Sequence, residues 1–531
     1  MRQRCLLSVI TTRRRVASVL AGVVALASGV SACSSGSSAG GANGRTLTIS
    51  VSGDPLNLDT ANCVPLVFCS VAYDSLIHIS PSTGELQPGL ATSWAWVDKE
   101  HRTFRLTLRQ GAKFGDGTPL DGQAAAASLN SYLQAPGPFA SLSYPLEKAE
   151  AAGSDKVDVQ FAEPVSTHYA LYLLAGQSGV GYVVGPKSAA DRKLLLADTD
   201  GIGPYELDPT RTIKSVEYVY VPNRQYHNQD AIKYEKIVLK PVMNPQTRLN
   251  SIRSGEVDWA LNIAPTDVSA VKQSGASIAR GPLGSFASMA LIKRANGPLA
   301  DERVRQALAY ATPRHDIATA IFGTDAVPTS SVVADGAEGY NAGDVNQYAY
   351  NPEKARQLLA EAGQANGLKI QVLDPSFFDP GSAVGQALKA AYAKVGVTLD
   401  LVPSDASPGV VAQQMGNYDA VIMTNGANGL SEVVFTMFRP KGLANPLGVP
   451  LDLQLTTLMH EAATAADPQQ QEAKMRAVTA RLDELVYTVP IASIPTLQAV
   501  SSKVANVSEK FWTIEMNPFS PVAAEAWRPA K

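Results

Sequence analysis

Polar and apolar residues alternate along Thr46-Leu47-Thr48-Ile49-Ser50-Val51, which predicts a strand with one buried face, ended by Gly53-Asp54-Pro55. The pattern is fuller in the second half of the chain. Asn351-Pro352 caps and starts a helix whose Ala355, Leu358, Leu359 and Ala362 fall on one face, with Gly363 as its stop. Lys369 to Leu373 reads as a strand, followed by a helix from Ala383 to Val395 with Val384, Leu388, Ala391, Tyr392 and Val395 in one stripe. Val397 to Leu401 alternates as a strand, Gly409 to Met415 reads as a short helix, and Ala420 to Met423 is a continuous apolar strand. Such alternation predicts an α/β fold with a parallel sheet and crossover helices. Ligands of open parallel sheets bind beyond the carboxyl ends of the strands. The segments 374–380, with Phe377 and Phe378, and 424–429, with Asn425 and Asn428, are therefore candidate cleft walls; plain turns with inward phenylalanines are the alternative.

The first 33 residues add an address. Met1 to Arg15 carries five arginines and no acid, and Val16 to Val30 is an apolar run too short for a stable membrane-spanning helix. Val30-Ser31-Ala32-Cys33 resembles a bacterial lipobox, so residues 1–32 are expected to leave as a signal peptide and Cys33 to be diacylated. Ordinary cleavage near Ala32, with Cys33 incidental, is the alternative. Thr12-Arg13-Arg14 leaves the export route open between Sec and Tat. The Gly/Ser/Ala composition of 33–45 suits a flexible leash, and no second stretch of about 18 apolar residues follows. These features predict an extracytoplasmic cell-membrane lipoprotein held only by its acyl chains.

The remaining chain, roughly 500 residues, exceeds what one hydrophobic core supports, so at least two lobes are expected. A hydrophobic content of 45%, 18% charged residues and a net charge of −3 show no basic excess for nucleic acid or an anionic membrane. With Cys5 in the signal and Cys33 taken by lipid, Cys63 and Cys69 remain as a pair in an oxidising compartment, which predicts a disulfide holding a local apolar loop that includes Phe68. A two-cysteine metal site is the rival reading and lacks nearby His or further Cys. The six histidines are scattered with no metal-ligand spacing, and no phosphate loop or dinucleotide fingerprint is present. No metal, cofactor or enzymatic activity is therefore expected; a hydrolase assembled only on folding, or an envelope regulator, is the alternative.

Several strings in order then resemble the extracytoplasmic solute-binding proteins of ABC importers, in the family that binds peptides, nickel complexes and related solutes. They are Asp54-Pro55-Leu56-Asn57-Leu58-Asp59, Tyr73-Asp74-Ser75-Leu76, Leu90 to Trp94, Thr103 to Leu120, Gly201-Ile202-Gly203-Pro204-Tyr205, Asn223 with Tyr226, Ser254 to Asp258, Arg303 to Ala311 and Tyr350 to Ala355. The resemblance implies a two-lobed periplasmic-binding-protein-like fold of type II with an extra subdomain in lobe I. Lobe I would take 46–80, 188–297 and 490–531, the extra subdomain 81–187, and lobe II 298–489. Crossings at Gly281 to Met289 and Ala492 to Ser502 would form a hinge.

The implied function is capture of a peptide or peptide-like solute between the lobes by a monomer, and its delivery to permease subunits with their ATPases. A metal chelate, glycoside or other small molecule is the alternative solute. Ligand contacts are expected from the loop with Cys63, Phe68 and Cys69, from Ser285, Phe286 and Met289 at the lobe junction, from Phe377, Phe378, Asn425 and Asn428, and from Trp512 past the second crossing. Hinge packing is the alternative for Phe286 and Met289. Anchored on Tyr418 to Met423, Asn428 stands where peptide-binding relatives place an Asp for the α-amine, and Phe377 and Phe378 stand where dipeptide binders present an Arg. With Glu432 as a possible substitute carboxylate, these departures disfavour a free dipeptide, whose buried charged ends would lack partners.

Overall fold

The computed structural model describes residues 46–530 apart from 56, 64, 136–142, 177–178, 282, 284, 336, 377, 379–381, 407, 427–429, 431–432, 466 and 508–526. Two sheets organise the chain. The first has seven strands in the order Ser277–Arg280, Leu497–Val500, Trp259–Ala260, Thr46–Val51, Lys236–Pro241, Tyr218–Pro222 and Tyr205–Leu207. The alternating Thr46–Val51 lies at its centre, parallel to both neighbours, and turns Leu47, Ile49 and Val51 into a core with Phe68, Tyr220 and Trp259. A smaller core on the sheet holds Leu249 and Ile252 of the helix Pro245–Arg253.

The second sheet orders Val327–Pro328, Thr488–Ile494, Ser285–Leu291, Ala420–Gly426, Leu368–Pro375 and Val397–Ser404. Its three last strands run parallel, and the helices that precede and join them fall where the apolar stripes predict. Asn351 caps Pro352–Glu361 by accepting from the Lys354 N–H at 2.9 Å, and Ala355, Leu358 and Leu359 are buried. Ala383–Ala393 buries Val384, Leu388, Ala391 and Tyr392. Strands Leu368–Pro375, Val397–Ser404 and Ala420–Gly426 continue past their expected ends, because ladder pairing carries polar residues that hydropathy alone does not count as strand.

A four-stranded antiparallel sheet, Ala91–Trp96, Thr103–Leu108, Lys156–Phe161 and Leu146–Ala151, packs on the helix Gly122–Leu133 as a separate subdomain. Asp121 caps that helix, accepting from the Ala124 N–H at 2.8 Å. The structure is thus the two-lobed type II fold with an extra subdomain. Sheet membership puts Ser285–Leu291 in the middle of the second sheet, whereas a boundary at 297 would leave it with the first lobe. The Gly201-Ile202-Gly203 string is a close approach: a Cβ on Gly201 would lie 2.1 Å from the Ala72 carbonyl oxygen.

Two neighbouring segments join the lobes. Ser277–Arg280 pairs with Leu497–Val500 in the first sheet, and Ser285–Leu291 pairs with Thr488–Ile494 in the second. Between them the Gly281 N–H donates to the Thr496 carbonyl at 2.8 Å.

The second lobe also buries a carboxyl. Asp483, on the helix Pro468–Leu485, accepts from the Val332 N–H at 3.1 Å, and burial pushes its pKa up to about 8 from 3.8, against the Ser331 and Val332 hydrogen bonds. The folded chain then holds a proton that the unfolded chain releases above about pH 4, so this group lowers stability progressively from about pH 4 to about pH 8. Urea denaturation at pH 5 and pH 8.5 should show Asp483→Asn losing less stability than the parent over that interval; an equal loss in both proteins would rule out a protonated Asp483.

Candidate functional site: the cleft between the lobes

The parallel strands of the first sheet end at one place. Beyond Val51 comes Ser52, beyond Pro241 come Pro245 and Arg248, and beyond Ala260 come Leu261 to Pro265; all of these line one cavity of about 430 Å³. The second lobe closes its other side with Ser285, Phe322 and Thr424, and the second crossing, Ile494 to Gln498, runs along it. Pro65 and Val67 complete the first-lobe wall. They project from the loop tied by the Cys63–Cys69 disulfide, whose backbone is held by the Tyr220 hydroxyl donating to the Phe68 carbonyl at 2.7 Å.

Arg248 is the ionisable side chain of the described wall, and it is spent on backbone. Its Nε donates to the Leu261 carbonyl at 3.1 Å, Nη1 to those of Val242 and Met243 at 2.7 and 2.9 Å, and Nη2 to that of Asn262 at 3.1 Å. The guanidinium clamps the ends of the two strands that flank Thr46–Val51, and burial pulls its pKa below the usual value. The rest of the described wall is neutral, with hydroxyl and amide groups from Ser52, Asn262, Ser285, Thr424, Thr496 and Gln498 among apolar side chains. Such a surface can hydrogen-bond a solute's amides or hydroxyls while covering its apolar parts.

Of the residues expected at the ligand, Ser285 lies on this wall. Phe286 and Met289 are on the same strand but are 2% and 0% exposed and point into the two cores on opposite faces of the second sheet. Cys63, Phe68 and Cys69 sit in the first-lobe core, and Phe68 meets Tyr218 edge-on at 5.0 Å, so the loop offers its neighbours Pro65 and Val67 instead. Phe378 packs against the second-lobe core. Asn425 pairs with Phe286 in the strand ladder. Cys33, Phe377, Asn428, Glu432 and Trp512 lie outside the described residues.

Arg248, Phe322, Asn262 and Gln498 were not anticipated. The carboxyl-end rule, applied to the first sheet as well as the second, leads to Arg248 and Asn262. Phe322 ends the wide helical turn Ala318–Phe322, which no periodicity marks.

The main titratable cluster of the first lobe lies apart from this cavity. Burial would raise the Asp74 carboxyl, but His78, with Nε2 2.5 Å from Oδ1, and His227, at 4.0 Å, bring it below its usual value, while burial lowers His227. Among the described residues, no group of three or more His, Cys, Asp or Glu could hold a metal ion, and no helix is long and apolar enough to cross a membrane.

The two lobes thus place one cavity where the strand ends of their sheets face each other. The chain belongs to the bacterial extracellular solute-binding proteins, family 5, whose middle region matches residues 85–440. The glutathione-binding protein GsiB of Shigella flexneri is 26% identical over 328 residues, which span 61% of this chain and 62% of that protein. The binding protein AgaA of A. tumefaciens R10, solved with agropinic acid, superposes with a TM-score of 0.78 at 22% identity, over 92% of this chain and 99% of AgaA. DppA from Helicobacter pylori, solved with the peptide STSA, gives 0.76 at 18% identity over 92% and 99%.

Arg248→Lys tests the clamp. A lysine head cannot span four carbonyls, and leaving buried carbonyls unpaired should cost about 2 kcal/mol or more. The expected result is a lower urea midpoint with an unchanged slope; an unchanged midpoint would mean that the clamp contributes nothing.

Proposed function

We propose that the chain is the lipid-anchored solute-binding component of an ABC importer, taking a peptide or peptide-like solute between its lobes and delivering it to a permease pair with its ATPases. The observation that carries this reading is the cavity itself: it draws its wall from both lobes and from the crossing between them. A solute there touches both lobes only when they are together, so binding shifts the population toward closure. Membership of an extracellular solute-binding family supports the assignment, as do relatives named for glutathione and solved with a tetrapeptide.

The neutral described wall favours a solute whose charges are masked or far apart. Arg248 has four carbonyl contacts and no carboxylate partner among the described residues, and Asn428 and Phe377 stand where charged partners for a dipeptide's ends are expected. A non-peptide small molecule is the second reading, supported by the same neutrality and by the agropinic acid bound in AgaA.

Solute released from the purified protein by mild denaturant can be identified by mass spectrometry and returned in calorimetry. It should bind at least about tenfold more tightly than any simple dipeptide, a difference of about 1.4 kcal/mol. A dipeptide binding as tightly as the extracted solute would defeat the proposed selectivity, and a chain that retains no solute and binds none offered would defeat the capture reading.

Anchoring has its own test. Cys33→Ser should move the protein from the membrane to the soluble fraction, because the acyl chains on Cys33 are the proposed attachment. Retention of the variant in salt-washed membranes would exclude a lipid anchor at Cys33.

A further inference from the structure

The lobes also meet well away from the crossings, and the meeting is made by the extra subdomain. Phe435 of the second lobe is 6% exposed and packs in the subdomain's core rather than its own, with its ring 5.0 Å from Tyr169 and 6.2 Å from Tyr144. One turn on, the Arg439 guanidinium lies over the Tyr144 ring at 4.3 Å, while its Nε donates to the Phe435 carbonyl at 2.7 Å. Two polar contacts flank this aromatic centre. The Ser166 hydroxyl donates to Glu338 Oε1 at 2.9 Å, and His101 Nδ1 is 2.7 Å from the Ala463 carbonyl oxygen. His101 is set for that contact by stacking on Trp96, with ring centres 4.6 Å apart and planes 3° apart.

This contact differs from a permanent core. It encloses a cavity of about 140 Å³ lined from both sides, by Val165 and Ser166 of the subdomain and by Leu430, Val434, Met459 and Val478 of the second lobe. A permanent core is filled to crystal-like density with few voids, whereas a surface that parts and rejoins carries a polar rim, which the Ser166–Glu338 and His101–Ala463 contacts supply here. None of the residues lining this gap lines the cavity between the strand ends.

We propose that the extra subdomain is a latch: Phe435 and Arg439 of the second lobe dock on Tyr144 and Tyr169, and this contact holds the two lobes together independently of solute. The lobes are covalently joined at the crossings, so the latch sets how often they part. A solute that needs the joined form then has an apparent affinity scaled by the fraction of time the latch is engaged. Only this effect on affinity rests on the proposed capture of solute; the effect on shape does not.

Small-angle scattering of the full chain, freed of co-purified solute, tests it. A compact chain of this length has a radius of gyration of about 23 Å, and Phe435→Ala should raise it by ~1 Å as the lobes part more often. His101→Asn combined with Arg439→Gln should do the same while leaving both cores filled; Asn tolerates the left-handed backbone at position 101, where φ is 55°. The extracted solute should bind these variants about tenfold more weakly. If the double variant is folded by circular dichroism and its scattering profile matches the parent's, the latch is wrong. A change in scattering without any solute binding would uphold the latch and reject solute capture.

Discussion

Everything in this molecule hangs on one pair of neighbouring segments. The chain leaves the first sheet after Arg280 and enters the second at Ser285; it leaves the second after Ile494 and returns to the first at Leu497. The same two stretches are therefore antiparallel partners in both lobes, bridged midway by Gly281 and Thr496. A ladder that continues across the gap fixes the twist between the sheets while leaving few residues to bend. The cavity follows from it: strand ends of the two sheets are brought face to face, and the second crossing becomes one of the walls.

Much of the second lobe was legible because its helices are amphipathic. Ala355, Leu358 and Leu359, and then Val384, Leu388 and Tyr392, announce their buried faces by spacing alone. The lobe junction was less legible for the opposite reason. Ser285–Leu291 is covered on both faces, so Phe286 enters one core and Met289 the other, and strand parity gives no sign of which residue meets the cleft. The disulfide loop shows the same limit: its composition marks a packed apolar loop, but only the fold reveals that Cys63, Phe68 and Cys69 face inward while Pro65 and Val67 face the cavity.

Arg248 shows how a charge in a binding wall can have a structural use. A guanidinium with several donors in a fixed plane suits carbonyls at the frayed ends of two strands better than any neutral side chain does. Its four contacts shape the wall made by Leu261 and Asn262 and leave the surface presented to a solute largely uncharged. The family's short strings have a similar character: Asn351 caps a helix, and Gly201 lets the chain pass against Ala72. They hold the scaffold and do not line the cavity.

The order of strands has a consequence for synthesis. Thr46–Val51 sits two places from Leu497–Val500 in the first sheet, and the second sheet is completed by Thr488–Ile494. The Trp259 indole, at the heart of the first lobe, donates to Gln498, 239 residues later, at 2.7 Å. Neither sheet can be finished until Thr488–Ile494 and Leu497–Val500 have been made, so loop closure of this length makes completing the two lobes a late step in folding. A lesion in this one late stretch would therefore leave both lobes unfinished.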